Sequence, residues 1–164
     1  MLDLDSAIEI AIPKLKIFES FRSRAYPDQN GVWTIGYGHT AGVKPGMKMS
    51  VLVAEKLLVQ DTEQIAQLLE PHLPEFLNPN QFAALISLAY NIGPGKAGAR
   101  DGFLIQKSGE PSTILKKLTE GAPAHEIGDC FLSWIYVGDE ASSGLCSRRT
   151  RERELFLTPY EPNS

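Results

Sequence analysis

Residues 18–40 read Phe18-Glu19-Ser20-Phe21-Arg22-Ser23-Arg24-Ala25-Tyr26-Pro27-Asp28-Gln29-Asn30-Gly31-Val32-Trp33-Thr34-Ile35-Gly36-Tyr37-Gly38-His39-Thr40. Two carboxylates and a hydroxyl, on Glu19, Asp28 and Thr34, fall within this stretch at spacings of nine and six residues. Upstream, apolar Ile8, Ala11, Ile12, Leu15 and Phe18 recur at helical spacing, so Glu19 belongs to the last turn of a helix. Downstream, Asn30-Gly31 is a tight-turn signal, because both residues tolerate positive φ. Alternation then puts Trp33, Ile35 and Tyr37 on one face of a strand and Val32, Thr34 and Gly36 on the other. A helix end followed by a hairpin therefore delivers all three polar groups to one small region.

Such a trio suits hydrolysis of a glycosidic bond, which needs an acid to protonate the leaving oxygen and an anion to activate water or stabilise an oxocarbenium-like transition state. Glu19 is the better acid. Apolar Ile17 and Phe18 precede it, and the helix C-terminus places partial negative charge beside it; both disfavour a carboxylate. Asp28 lies in a polar turn with Gln29 and Asn30 and is the group expected to stay ionised. The Thr34 hydroxyl can hold a water against it. If that water must fit between sugar and carboxylate, the two carboxyl groups should stand roughly 6.5–9.5 Å apart.

The flanking sequence is helical. Ser6, with Glu9 three residues on, forms a capping box for the first helix, which Pro13 kinks or divides. Ala41–Gly46 is rich in turn residues. Ser50 caps a long helix reaching about Leu69, with Val51, Ala54, Leu57, Leu58, Ile65 and Leu68 as its apolar stripe. Asn78-Pro79 opens a helix that is apolar on most faces, hence central and buried, and Asn91-Ile92-Gly93 stops it. Residues 93–102 read as a loop. Shorter helices are expected near 103–107, 112–119 and 124–136, then an arginine-rich helix from Gly144 to Phe156 and a frayed tail over 158–164.

The bulk properties limit the alternatives. The chain has 164 residues, 43% hydrophobic and 22% charged, an ordinary globular composition that suits one domain. A net charge of −4 argues against a dedicated nucleic-acid binder, and Glu152 and Glu154 interrupt the arginines of the last helix. The same charge means that a polyanionic substrate must be held by a local basic region. Cys130 and Cys146 read as free thiols, and His39, His72 and His125 are too scattered for a metal site. The N-terminal segment is acidic and broken by Glu9, Pro13 and Lys14, which predicts neither a secretory signal nor a membrane anchor.

Residues 18–40 resemble the catalytic motif of phage-type lysozymes, glycoside hydrolase family 24: Glu, eight residues, Asp, five residues, Thr, then a Gly-x-Gly-His turn, here Gly36-Tyr37-Gly38-His39. The likeness continues through Gln81–Leu85 and Tyr90–Gly93, Phe131–Tyr136, and Gly144–Arg149 with Glu152–Phe156, covering residues from about 14 to 157. It implies an α+β, lysozyme-like fold: a small antiparallel β-lobe at about 23–46 and a larger helical lobe at about 1–22 and 50–157. The long helix joins the two, with the active-site cleft between them. It implies an endolysin that hydrolyses the β-1,4 bond between N-acetylmuramic acid and N-acetylglucosamine in peptidoglycan glycan strands for host cell lysis. Glu19 would be the general acid, with Asp28 and Thr34 positioning water or stabilising the transition state.

The resemblance also implies no metal or organic cofactor, no nucleic-acid partner, no stable membrane insertion and a monomer. It implies accumulation in the host bacterial cytoplasm, with release to the cell wall through a separate holin-type protein. In the family an arginine approaches the catalytic glutamate, and Arg148 matches it better than Arg149; the alternative for both is a solvated basic face. His39 reads as structural rather than as a base, and Trp134 as core with Phe131 and Ile135. The stretch between Gly93 and Ser112 looks longer than in many relatives and could rim the cleft. A catalytically silent peptidoglycan-binding module of the same fold is the competing function.

Overall fold

A computed structural model of the chain describes residues 1–162. Its first helix, α1 (Leu4–Glu19), is capped by Asp3, whose Oδ1 accepts from the Ser6 amide at 3.0 Å. Ser6 is therefore the capped residue rather than the cap. Pro13 lies inside α1 without dividing it. Both Pro13 and Glu9, whose carbonyl loses its amide partner, face solvent, while Ala7, Ala11 and Leu15 form an unbroken buried stripe.

After α1 the chain forms an antiparallel pair, β1 (Arg22–Pro27) and β2 (Trp33–Gly36), with Tyr26 opposite Thr34 and Pro27 opposite Trp33. The sheet begins one residue before the expected edge of the β-lobe. A further bridge joins Arg24 to Lys48, past the turn-rich segment. Thr34, Ile35, Gly36 and Tyr37 are all buried, so the strand is covered on both faces rather than on one.

The long helix α2 (Val51–Leu69) starts at Ser50, whose hydroxyl accepts from the Val53 amide. Its buried stripe is Ala54, Leu58, Thr62, Ala66 and Leu69; Val51 and Leu68, expected inside, are largely exposed. A buried threonine disguised the stripe. Thr62 satisfies its hydroxyl within the helix by donating to the Leu58 carbonyl at 2.6 Å. One 3-10 turn at Glu70–His72 leads on to α3 (Pro79–Ile92). Asn78 and Gln81 cap α3 reciprocally, and nine of its residues are buried, from Pro79 to Ala89. Burying a side chain such as Phe82, Leu85 or Leu88 contributes about 1.5–3 kcal/mol, so α3 is the axis of the core, with α1 and α6 (Ser143–Leu157) packed on it.

Between α3 and α6 the sequence reading needs three corrections. Residues 103–107 are not helical: the amides of Phe103 and Leu104 donate to the carbonyls of Gly93 and Pro94, and Ile105 bridges Pro111. A helix here would need the Lys107 amide on the Phe103 carbonyl, but that amide donates to Asp101 Oδ1 and that carbonyl accepts from the Ser112 hydroxyl, while Phe103 fills the core. Helix α4 (Thr113–Thr119) is where expected, but α5 (Ala124–Phe131) stops early. Beyond it, β3 (Tyr136–Val137) and β4 (Glu140–Ala141) form a small hairpin inside the helical lobe, turned by Gly138-Asp139. The tail is anchored at its start, because the Asn80 amide donates to the carbonyls of Thr158 and Pro159; positions 163–164 of the expected tail lie outside the described residues. Cys130 and Cys146 are unpaired, and burial pushes the Cys130 thiol pKa up, which keeps it protonated. Among the described residues, no helix is long and apolar enough to cross a membrane.

Candidate active site

Glu19, Asp28 and Thr34 line one cavity of about 310 Å³, together with Tyr26, Gln29, Gly38, Thr40, Tyr90 and Asn91. It continues past Glu19, Gln29 and Asn91 into a second cavity of about 450 Å³ floored by Phe18 and Arg148 and bounded by Val137 and the start of α6. On the other side, Gly38, Thr40 and Tyr90 are shared with a smaller cavity beside His39 and Asp61. The result is an extended groove with Glu19 near its middle, a shape suited to a chain-like substrate.

Glu19 ends α1, and the backbone turns sharply after it. Ser20 has φ 57° and ψ 153°, a region nearly reserved for glycine. Opposite, Gly38 has φ +78°, and a Cβ there would lie 2.9 Å from Glu19 Oε2. Glycine at 38 therefore lets the Gly36-Tyr37-Gly38-His39 turn come directly against the carboxylate. Two aromatic residues hold that turn in place: Tyr90 donates to the Tyr37 carbonyl at 2.6 Å, and the Tyr37 ring packs on Phe21 at 5.7 Å. His39 bonds Asp61 through Nδ1 at 2.7 Å and the Ala41 carbonyl through Nε2 at 3.0 Å, which uses both ring nitrogens and makes it a brace for the turn.

The setting of Glu19 is more charged than its neighbours in sequence suggest. Ile17 is 67% exposed and shields nothing. Arg148 reaches across from α6 and donates to Glu19 Oε1 at 2.8 Å, with its guanidinium over the Phe18 ring. Arg148 also donates to the Ser87 carbonyl and to Glu152. Glu152, only 1% exposed, accepts from Ser87 and Arg149, each at 2.5 Å. Arg149, fully buried, donates further to the Trp134 carbonyl and to Asn91 Oδ1. The two guanidinium and two carboxylate charges balance, and no buried side-chain nitrogen or oxygen among the described residues lacks a partner. Burial lowers the Arg149 pKa from its ordinary value, and Glu152 opposes the shift. The solvated basic face considered for Arg148 and Arg149 is therefore replaced by a buried network.

Asp28 is held differently. Its Oδ1 accepts from the amides of Asn30 and Val32 at 2.8 and 2.9 Å, so the side chain is part of the turn it sits in. Thr34 donates its hydroxyl proton to the Val32 carbonyl at 2.9 Å, which leaves the oxygen lone pairs free to accept. Sequence reasoning missed Tyr90 and Asn91 as lining residues, reading them only as part of a helix and its stop. Their signal was two polar groups closing an otherwise apolar helix. Trp134 is half-buried against the core, and none of residues 94–111 is among those lining the two larger cavities.

Comparison with known proteins bears on the family and the fold. A sequence profile described as phage lysozyme matches residues 16–152. The chain is 34% identical over 159 residues to an endolysin of Bacillus phage B103, covering 94% of this chain and 55% of that protein. It therefore spans about half the length of that relative. It is 33% identical over 152 residues to an endolysin of Salmonella phage P22, covering 90% of this chain and 94% of the other. Among solved structures, the muramidase domain of SpmX from Asticaccaulis excentricus superposes with a TM-score of 0.75 at 29% identity, covering 92% of this chain and 96% of that one. The α+β fold, with its β-lobe, helical lobe and joining helix, is lysozyme-like.

Proposed function

The chain belongs to the phage lysozyme family, whose members are glycoside hydrolases of the endolysin kind, and from that premise we propose that it cleaves the glycan of peptidoglycan at the β-1,4 bond between N-acetylmuramic acid and N-acetylglucosamine. The observation that carries the reading is that Glu19, Asp28 and Thr34 line the same cavity, midway along an extended groove.

In this reading Glu19 gives its proton to the glycosidic oxygen as the bond to the anomeric carbon breaks. Arg148 occupies Oε1, which leaves Oε2 as the oxygen that carries the proton. A water held between Asp28 and the Thr34 lone pairs adds to the anomeric carbon from the other face, and Asp28 takes the proton released. The backbone amides on Asp28 Oδ1 hold that carboxylate in place and leave its second oxygen for the water. Gly38 and Ser20 fix where Glu19 can sit, a positioning of the kind that brings reacting atoms into contact distance. The chemistry requires only the chain's own residues and water. The protein would act as a monomer and would reach the wall with the help of a separate holin-type protein.

The test is clearing of outer-membrane-permeabilised Gram-negative cells by wild type and Glu19→Gln, with analysis of the new reducing ends. The expected result is clearing by wild type alone, with N-acetylmuramic acid at the new ends. Equal clearing by Glu19→Gln would remove Glu19 from the chemistry. Binding to walls without clearing by either protein would favour a silent wall-binding module.

A further inference from the structure

The β-lobe carries a feature that the hydrolytic reading does not use. Arg24 and Lys48 are bridged antiparallel, and the flanking bonds run from the Ala25 amide to the Met47 carbonyl and from the Met49 amide to the Ser23 carbonyl. That pattern makes Arg24 and Lys48 a non-hydrogen-bonded pair, the register in which opposed side chains come closest. Like charges placed directly opposite in this way oppose sheet formation. Neither residue forms an ion pair among the described residues, and both are exposed. Arg22, also exposed, lies on the same strand with its guanidinium 4.2 Å over the Tyr26 ring, and Tyr26 lines the catalytic cavity. The three cations thus form a strip that begins at the cleft wall and runs outward over the β-lobe, on a chain whose net charge is −4.

We propose that the strip of Arg22, Arg24 and Lys48 is a subsite for the carboxylates of the peptide stems on the glycan strand lying in the cleft. The inference rests on the peptidoglycan reading of the site and adds to it a preference for strands whose stems carry free carboxylates. A glycan in the groove projects its stems sideways, next to the wall that Tyr26 forms. Anionic stems there relieve the repulsion that the bridge builds in. Because the contacts are exposed, they are screened by salt.

The experiment compares wild type with the double variant Arg24→Gln/Lys48→Gln on purified Gram-negative sacculi, which lack teichoic phosphodiesters. Each is used untreated and with stem carboxylates capped as neutral amides by carbodiimide and ethanolamine. At low salt the double variant should show KM raised about three- to tenfold on untreated sacculi with kcat unchanged. The difference should vanish on capped sacculi and at high salt, and Tm should stay the same or rise because a like-charge pair is gone. An unchanged KM on untreated sacculi overturns the proposal. So does an equal loss on capped sacculi, or a loss seen only on walls rich in teichoic phosphodiesters. Sedimentation of Glu19→Gln onto the same two sacculi, with and without the double change, reads the strip without turnover. If wild type cleaved neither material, the hydrolytic reading would fail, while binding that fell with charge capping would still uphold the strip.

Discussion

The two carboxylates of the cleft are held by opposite means. Asp28 is fixed by its own neighbourhood: amides two and four residues away bond its Oδ1, and the turn that presents it is the turn it stabilises. Glu19 is fixed from far away, by an arginine 129 residues on in the chain, which is itself held by Ser87 on α3 and by Glu152 one turn along its own helix. The local device is exposed and its parts are separable. The distant one is buried, charge-balanced and tied to the packing of α1, α3 and α6, so its failure should spread beyond the site. The arrangement couples the position of the proposed acid to the integrity of the helical lobe, while the Asp28 side depends on a hairpin turn.

The largest effect that separates the two comes from Glu152→Ala. It leaves Arg149 buried without its anion and Arg148 with Glu19 alone, and removing one partner of such a cluster costs about 3–5 kcal/mol. Urea denaturation should show that loss, with activity falling as Arg148 is released from its place beside Glu19. A loss below about 1 kcal/mol, the range of an exposed pair, would mean that the network is not a unit.

Tyr90→Phe probes the contact between α3 and the Gly38 turn, and should cost about 1–2 kcal/mol at neutral pH by leaving the Tyr37 carbonyl without its donor. Burial, with help from the charges of Asp61 and Glu19 and against Arg148, raises the Tyr90 phenol well above its ordinary value. The unfolded chain therefore loses this proton first. The stabilisation is complete below the ordinary tyrosine value of about 10 and declines as pH rises above it. The stability gap between wild type and Tyr90→Phe should accordingly narrow between about pH 9 and pH 11. A constant gap would place the phenol outside the titration.

The smallest effect is a gain. Ser20→Gly relieves a backbone conformation that costs a non-glycine residue about 1–3 kcal/mol, partly offset by the greater freedom of glycine in the unfolded chain. The net should be roughly 1 kcal/mol, or about 2–4 °C in Tm. An unchanged Tm would show that Ser20 stores no strain beside Glu19.

The same contrast explains what could be read from the amino-acid order. Asp28, Asn30-Gly31 and Thr34 sit within seven residues, so local turn and strand rules place them together. Helix caps at Ser50 and Asn78 were legible for the same reason. Thr62 hid the α2 stripe because its polarity is satisfied inside its own helix. The β3–β4 hairpin was hidden by an apolar run, Phe131 to Val137, that fits either a helix or a strand. The buried network was visible only as Arg148, Arg149 and Glu152 at helical spacing, a pattern that surface ion pairs share. Nothing local distinguishes the buried from the solvated version. That choice is made by Ser87, Asn91 and Glu19, which arrive from elsewhere in the chain.

In the proposed mechanism Asp28 and Thr34 hold a water on the face of the sugar opposite the Glu19 proton. Proton NMR of the first reducing ends formed from peptidoglycan fragments, read before mutarotation, tests it most directly. Attack by that water on a β-linked sugar predicts α-anomeric N-acetylmuramic acid as the initial product. An initial β-anomer would contradict this mechanism, because retention requires two successive displacements, the first by a nucleophile other than that water, such as Asp28 or the sugar's own acetamido oxygen.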